Sequence, residues 1–235
     1  MTLSEQAYAN LRNDIVRGTF RPDSPLRLAE LSKRYGMGFS PLREALNRLQ
    51  AERLVTSESL RGFRVAPLSL EAFEDALANR LLIETEALRA SIRLGGDDWA
   101  GGIVTALYAL KVQAERTGAD ADLWELERRH HAFHRALLAA CGSSWQLDFF
   151  ERLYMANERY RIPILLASSQ KSSRDIQAEH SALADAALAR DAMAATDLLR
   201  THYLRTAETI RVNMSAPLPA KTARPRSATK VASTA

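Results

Sequence analysis

The stretch RRHHAFHRALLAACG, from Arg128 to Gly142, holds three of the five histidines of the chain. Imidazole titrates closest to neutral pH and is the commonest metal ligand. Metal ligation, proton transfer and packing are all open to such a cluster. Helical geometry divides it, because residues four apart share a face and adjacent residues diverge by about 100°. His130 and His134 flank Phe133 and Leu137, which mark a buried side. His131 lines up with Glu127 and Arg135 on a charged stripe. Two imidazoles four apart can hold one ion, but two ligands do not complete a site. His180 in AEHSALADAALARD and His202 in LLRTHYLRTAE each fall within a helical apolar pattern. Three helices could bring these four imidazoles to one point. The plainer alternative is a satisfied core or surface histidine at each position.

Catalysis is the rival class. Histidines around a metal with an open position could activate water, as in a metal-dependent hydrolase. The chain has no His-Glu-x-x-His motif, no glycine-rich phosphate loop and no serine or cysteine nucleophile signature. Cys141, beside Gly142 at a helix end, reads as packed and has no partner for an internal disulfide. The expectation is a protein that is not an enzyme.

The elements that must position these residues are mainly helical. Thr2 and Glu5 form a capping-box pattern ahead of an apolar stripe at Leu3, Ala7, Leu11 and Ile15. RPDSP reads as a turn. Leu28 to Tyr35 reads as a second helix, stopped by Gly36. Ser40-Pro41 reads as the start of a third, with a capping hydroxyl and a proline in the first turn. VTS and GFRVA then alternate around Gly62, which predicts a small β-hairpin. This order is that of a winged helix-turn-helix, assigned to residues 1–68. Beyond it the pattern predicts helices near 69–94, 98–116, 121–141, 144–166, 173–189 and 191–213. The expected fold is mainly α: a winged helix-turn-helix followed by an all-α helical bundle over 69–213. Residues 214–235 read as a basic disordered tail.

Charge is distributed to match. Residues 1–68 carry 11 Lys/Arg against 7 Asp/Glu, whereas 69–214 are net acidic. A basic N-terminal block on an acidic body points to a polyanion at one end only. The third helix would enter the DNA major groove with its first residues near base edges. Arg43 is placed for a guanine edge or a phosphate. Ser40, Arg48 and Arg53 suit the DNA backbone, and Arg61, Gly62 and Arg64 suit contacts from the wing. Singly, each arginine fits a solvated face paired with Glu44 or Glu52. Together with the element order they indicate a double-stranded DNA operator, and the expectation is a homodimer on a palindromic site. No run approaches a membrane span, and the polar N-terminus shows no export signal. A cytoplasmic protein is expected.

GMGFSPLREALNRLQAERLV followed by RGFRVAPLS resembles the DNA-binding signature of GntR-type bacterial transcription regulators. The family pattern runs Gly-Val-Ser-Arg-Thr-Pro-Val-Arg-Glu-Ala-Leu. This chain departs at Gly38 and Phe39, where the family has Ser or Thr and then a base-contacting Arg. Phe39 could instead pack on a thymine methyl or on protein. The body resembles the FCD ligand-binding domain of the FadR-like branch, whose opening Arg-x-x-x-Glu helix is matched by Arg80 and Glu84. WELERRHHAFH, ALLAACGS and ERYR are similar to the subgroup of the carbon-starvation-induced regulator.

The resemblance implies a divalent metal at His134, His180 and His202, with His130 where many relatives have Asp. Four neutral imidazoles would leave the ion its full charge, which favours zinc or nickel and an anionic ligand. Arg80 is then a candidate for a ligand carboxylate, with Arg159 and Arg161 closing the pocket from another helix. The expected function is a ligand-responsive transcription regulator, a repressor sensing a small carboxylate or dicarboxylate. The alternative is a regulator whose metal is only structural.

Overall fold

The computed structural model describes residues 1–58, 62–116, 121–167 and 174–215. Helix α1 (Leu3–Val16) begins as its sequence expects. The Glu5 amide donates to Thr2 Oγ1 at 3.1 Å, and the Thr2 amide donates to Glu5 Oε2 at 2.6 Å. Helix α2 (Leu28–Tyr35) stops at Gly36, whose φ of 67° is the left-handed conformation that ends helices cheaply in glycine.

Helix α3 (Phe39–Ala51) starts earlier than expected. Gly38 is its N-cap and no side chain caps it, so Ser40 lies inside the first turn and is not the cap. Pro41 still falls in that turn, where its missing amide has no helical partner to lose. RPDSP also departs from a simple turn. Pro25–Leu26 forms strand β1, too short to show a period in sequence. It pairs antiparallel with β3 (Gly62–Val65), which pairs antiparallel with β2 (Val55–Glu58). The sheet order is β1-β3-β2, one strand more than the expected hairpin. Ala7, Leu11, Leu31, Leu42, Leu46 and Leu49 fill the core between these elements.

The remaining described elements are helices: α4 (Leu70–Leu94), α5 (Asp97–Ala114), α6 (Leu123–Leu138), α7 (Ser144–Ala167), α8 (Ile176–Leu188) and α9 (Ala192–Ser215). They share a second core that includes Phe73, Leu88, Ile103, Phe133 and Phe150. Helix α4 lies against α7 and α9, α5 against α6, and α8 against α9. Gly95 allows the α4–α5 corner to close, since a Cβ there would meet the Trp99 ring at 2.5 Å. The tail from Ala216 onward, and Arg61 in the wing, lie outside the described residues.

The two cores meet at α7. Arg12 of α1 pairs with Glu158. Arg159 donates to the carbonyls of Arg53 and Ala66. Tyr160 Oη donates to the Ser69 carbonyl at 3.2 Å, and Arg17 sits 4.8 Å above the Trp124 ring.

Leu46 is fully buried on the core side of α3. Leu46→Ala should destabilise the winged unit by about 2–5 kcal/mol through lost burial and the cavity left behind. Chemical denaturation followed by circular dichroism measures it; a loss under about 1 kcal/mol would mean that the core collapses around the gap.

Candidate metal centre and nucleic-acid interface

The four expected histidines come together. One ligating nitrogen from each of His130, His134, His180 and His202 lies within 4.8 Å of the others. His130 and His134 come from α6, His180 from α8 and His202 from α9. The Nε2 atoms of His130 and His134 are 3.2 Å apart. His134 and His180 are 1% exposed and His202 is 5%, whereas His130 is half-buried.

Three of the rings are held from behind. His130 Nδ1 lies 2.7 Å from Tyr154 Oη, and that hydroxyl donates to Glu127, which also pairs with Arg161. His134 Nδ1 lies 3.2 Å from Tyr203 Oη, and that hydroxyl donates to Glu84, which pairs with Arg80 at 2.6 Å. His202 Nδ1 lies 2.9 Å from Glu179, which also receives Arg174 and Arg205. Each backing group occupies Nδ1 and leaves Nε2 for the cluster, the arrangement that orients metal-ligating histidines.

His180 differs. Both of its ring nitrogens are buried and neither has a hydrogen-bond partner among the described residues. A buried imidazole with no partner costs folding free energy, since water's hydrogen bonds are lost and not replaced. It has unused ligand capacity, turned towards three other imidazoles with ring centroids 4.8–5.5 Å away. The donor set therefore fits a nitrogen-preferring divalent ion.

The electrostatics keep these rings in their ligating form. Burial pushes the pKa of His130 and His134 well below the usual value, and Arg161, Arg80 and the neighbouring rings add to it. Burial takes His180 down to about 3. Burial also lowers His202, although its bond to Glu179 opposes the shift. The backing arginines stay charged. Burial works against Arg80 and Arg161, but Glu84 and Glu127 outweigh it and raise both. Glu84 takes Nε and Nη2 of Arg80, so one arm of its fork, Nη1, is left for another acceptor.

Two expectations change here. Glu127 is not on a solvent-facing stripe with His131: it is 4% exposed, beneath Tyr154 and Arg161. His131 does separate from the cluster, and binds Glu151 of α7 at 2.7 Å. Arg159 is not brought to the histidines; its donors reach the Arg53 and Ala66 carbonyls. Positions two apart on a helix point about 200° apart, so Arg159 and Arg161 cannot both enter one pocket. Tyr154, Tyr203 and Glu179 escape a reading of the sequence, because nothing in local spacing reports a partner on another helix.

On the DNA-binding side, α3 has two exposed stripes of different character. Ser40, Glu44 and Arg48 follow one line. Glu44 accepts from Ser4 at 2.6 Å, and Arg48 lies over the Tyr8 ring at 3.8 Å and pairs with Glu52. Phe39, Arg43 and Asn47 follow the other line; all are exposed. Arg43 makes no hydrogen bond or ion pair with any described residue. Arg64 of the wing pairs with Asp23 at 3.0 Å, Gly62 has a φ of 75°, and Arg53 adopts a φ of 59°.

A model of the gntR family of bacterial regulatory proteins matches residues 3–65, and a model of the FCD domain matches residues 75–205. The chain belongs to the GntR family. It is 39% identical over 214 residues to the HTH-type transcriptional regulator BphR of Paraburkholderia xenovorans (strain LB400), spanning 89% of this chain and 86% of that one. It is 38% identical over 207 residues to the HTH-type transcriptional repressor GlaR of Escherichia coli (strain K12), spanning 87% and 94%. The E. coli McbR/YncC structure has the same fold, with a TM-score of 0.73 at 17% identity over 91% of this chain and 99% of that one. This GntR-family protein is a DNA-binding transcription regulator, not an enzyme. Among its described residues no helix is long and apolar enough to cross a membrane.

An imidazole whose folded pKa is depressed stays neutral while the unfolded chain takes up a proton. Stability of the metal-free protein is therefore full above about pH 6.5 and falls as pH drops below it. Thermal melts of chelator-treated protein between about pH 8 and 5 should show this before most carboxylates titrate; a flat profile would contradict the buried neutral rings. Arg43→Ala should weaken DNA binding by about tenfold or more, whereas Arg48→Ala should matter less. Titration by fluorescence anisotropy tests the order, and equal losses would remove Arg43 as the base reader.

Proposed function

We propose that this GntR-family regulator is a homodimeric repressor that senses a small carboxylate at a metal held by His130, His134, His180 and His202. The unpartnered, buried His180 ring among three backed histidines carries this reading. In it, residues 1–68 form the reading head, 69–213 the sensor and 214–235 a basic tail. Zinc or nickel suits four nitrogen donors. Bound there, such an ion would keep its double positive charge and attract an anion. A dicarboxylate is preferred, because Arg80 and Arg161 stand behind His134 and His130 and can take the second carboxylate. Arg159 serves elsewhere. Its grip on the Arg53 and Ala66 carbonyls, with Arg12–Glu158 beside it, supports α7 as the path from sensor to reading head. Arg161, two residues on, touches Tyr154 and Glu127 behind His130. A dimer reading two half-sites about one DNA turn apart loses affinity when the spacing of its heads changes. The repressor sign follows the printed role of GlaR. DNA contacts are assigned to Arg43 first, with Ser40, Arg48, Arg61, Gly62 and Arg64 on phosphates.

A second reading keeps the metal as a fastener of α6, α8 and α9 with no effector. Burial of three of the four histidines favours it.

Purified protein should hold about one divalent ion per chain, as four-coordinate sites do. His180→Leu should abolish the ion while leaving the melting temperature of chelated protein unchanged or raised, because an unsatisfied polar ring is removed. Metal retained by His180→Leu would sink the site. Short aliphatic dicarboxylates should raise the melting temperature of the metal-loaded protein. No shift with any carboxylate, the metal remaining bound, would leave the fastener reading.

A further inference from the structure

The first residue of α3 carries a chemistry unlike that of the arginines around it. Phe39 is 54% exposed, at the N-terminal end of the helix that a winged helix-turn-helix places in the major groove. Its ring packs against no aromatic ring or cation among the described residues, and it belongs to neither hydrophobic core. A single exposed aromatic is ordinary. Its line changes that. Phe39, Arg43 and Asn47 are four apart, so they form one stripe about 12 Å long on the exposed side of α3. The adjacent stripe is already committed within the protein, through Ser4–Glu44 and Tyr8–Arg48–Glu52.

The free stripe presents three different chemistries. Arg43 offers a two-pronged donor, suited to guanine O6 and N7. Asn47 offers a donor beside an acceptor, suited to adenine N6 and N7. Phe39 can neither donate nor accept a hydrogen bond. The one major-groove group that rewards an apolar contact is the C5-methyl of thymine.

We infer that Phe39 is a specificity-determining residue that reads a thymine methyl at the end of each half-site, beside the bases met by Arg43 and Asn47. This rests on the DNA-binding role of the family and on α3 as the reading helix. Sequestering one methyl group corresponds to about a fourfold gain in affinity per half-site. It is a base contact without salt dependence, unlike those of the arginines to phosphates.

The test removes only the methyl. Operators are selected from a random duplex library with the full-length protein, and each thymine is then replaced in turn by deoxyuridine. For the wild type, substitution at one symmetric pair of positions should weaken binding by about fourfold per half-site, and substitution elsewhere should do little. Phe39→Ala should bind the thymine and deoxyuridine operators equally, at the wild type's affinity for the deoxyuridine form. Because Phe39 is exposed, this variant should fold; its melting temperature checks that, and Phe39→Leu should restore part of the discrimination. Wild-type indifference to every deoxyuridine, or a methyl effect that persists in Phe39→Ala, would overturn the assignment while leaving DNA binding intact. Failure to enrich any sequence would overturn the sequence-specific DNA-binding reading, and this one with it.

Discussion

The helical body is organised around the cost of burying imidazole. A ring cut off from water can stay charged only beside a compensating anion, and here the nearby anions are already engaged by arginines. Glu84 belongs to Arg80, Glu127 to Arg161, and Glu179 to Arg174 and Arg205. The histidines therefore remain neutral; Tyr154 and Tyr203 separate His130 and His134 from the charges behind them, and Glu179 meets His202 directly. Neutral rings facing one another with Nε2 unblocked are what an incoming cation needs. Removing one partner from a buried ion pair costs about 3–5 kcal/mol, so the outer ring of Arg–Glu pairs resists rearrangement better than the histidines it supports.

Those supports also connect distant parts of the chain. Tyr154 and Arg161 stand on α7, the helix whose Glu158 and Arg159 hold the winged unit. Successive residues of Glu158–Arg161 thus divide between two tasks, because a helix turns through about 100° per residue. On the proposed reading, a ligand carboxylate that approaches Arg161 acts on the same turn of helix that grips the reading head. No separate relay has to be supposed.

Much of this is legible in sequence, for specific reasons. The capping box at Thr2, the extent of α2 and the pairing of His130 with His134 follow from local spacing, and local spacing is what helices preserve; His180 and His202 join that pair through the family resemblance. The misreadings share a cause. Strand β1 has two residues, too few to show a period. Ser40 looks like a cap, but the helix begins two residues earlier, with Gly38 as its N-cap and no capping side chain. Spacing along its own helix puts Glu127 on a charged stripe with His131 and Arg135; Tyr154 and Arg161, from another helix, decide its burial. Arg159 and Arg161 look like a group because they are neighbours in sequence, whereas helical phase separates them. What crosses between helices does not show in the spacing along one of them.

The carbonyl of Arg53 lies two residues beyond the C-terminal end of α3, and Arg159 grips the chain there. A guanidinium at that end is favoured by the helix dipole. It also makes that end of α3 a pivot. The helix is 13 residues long. At a rise of about 1.5 Å per residue, Phe39 and Arg43 lie near the far end of an arm about 20 Å long. A tilt of about 5° at the pivot would carry the tip about 1.7 Å, more than a hydrogen bond to a base edge tolerates. Leu42 and the Ser4–Glu44 bond fix the N-terminal half of α3 within the winged unit, so a disturbance of α7 would turn that unit as a whole and be magnified at Phe39 by leverage.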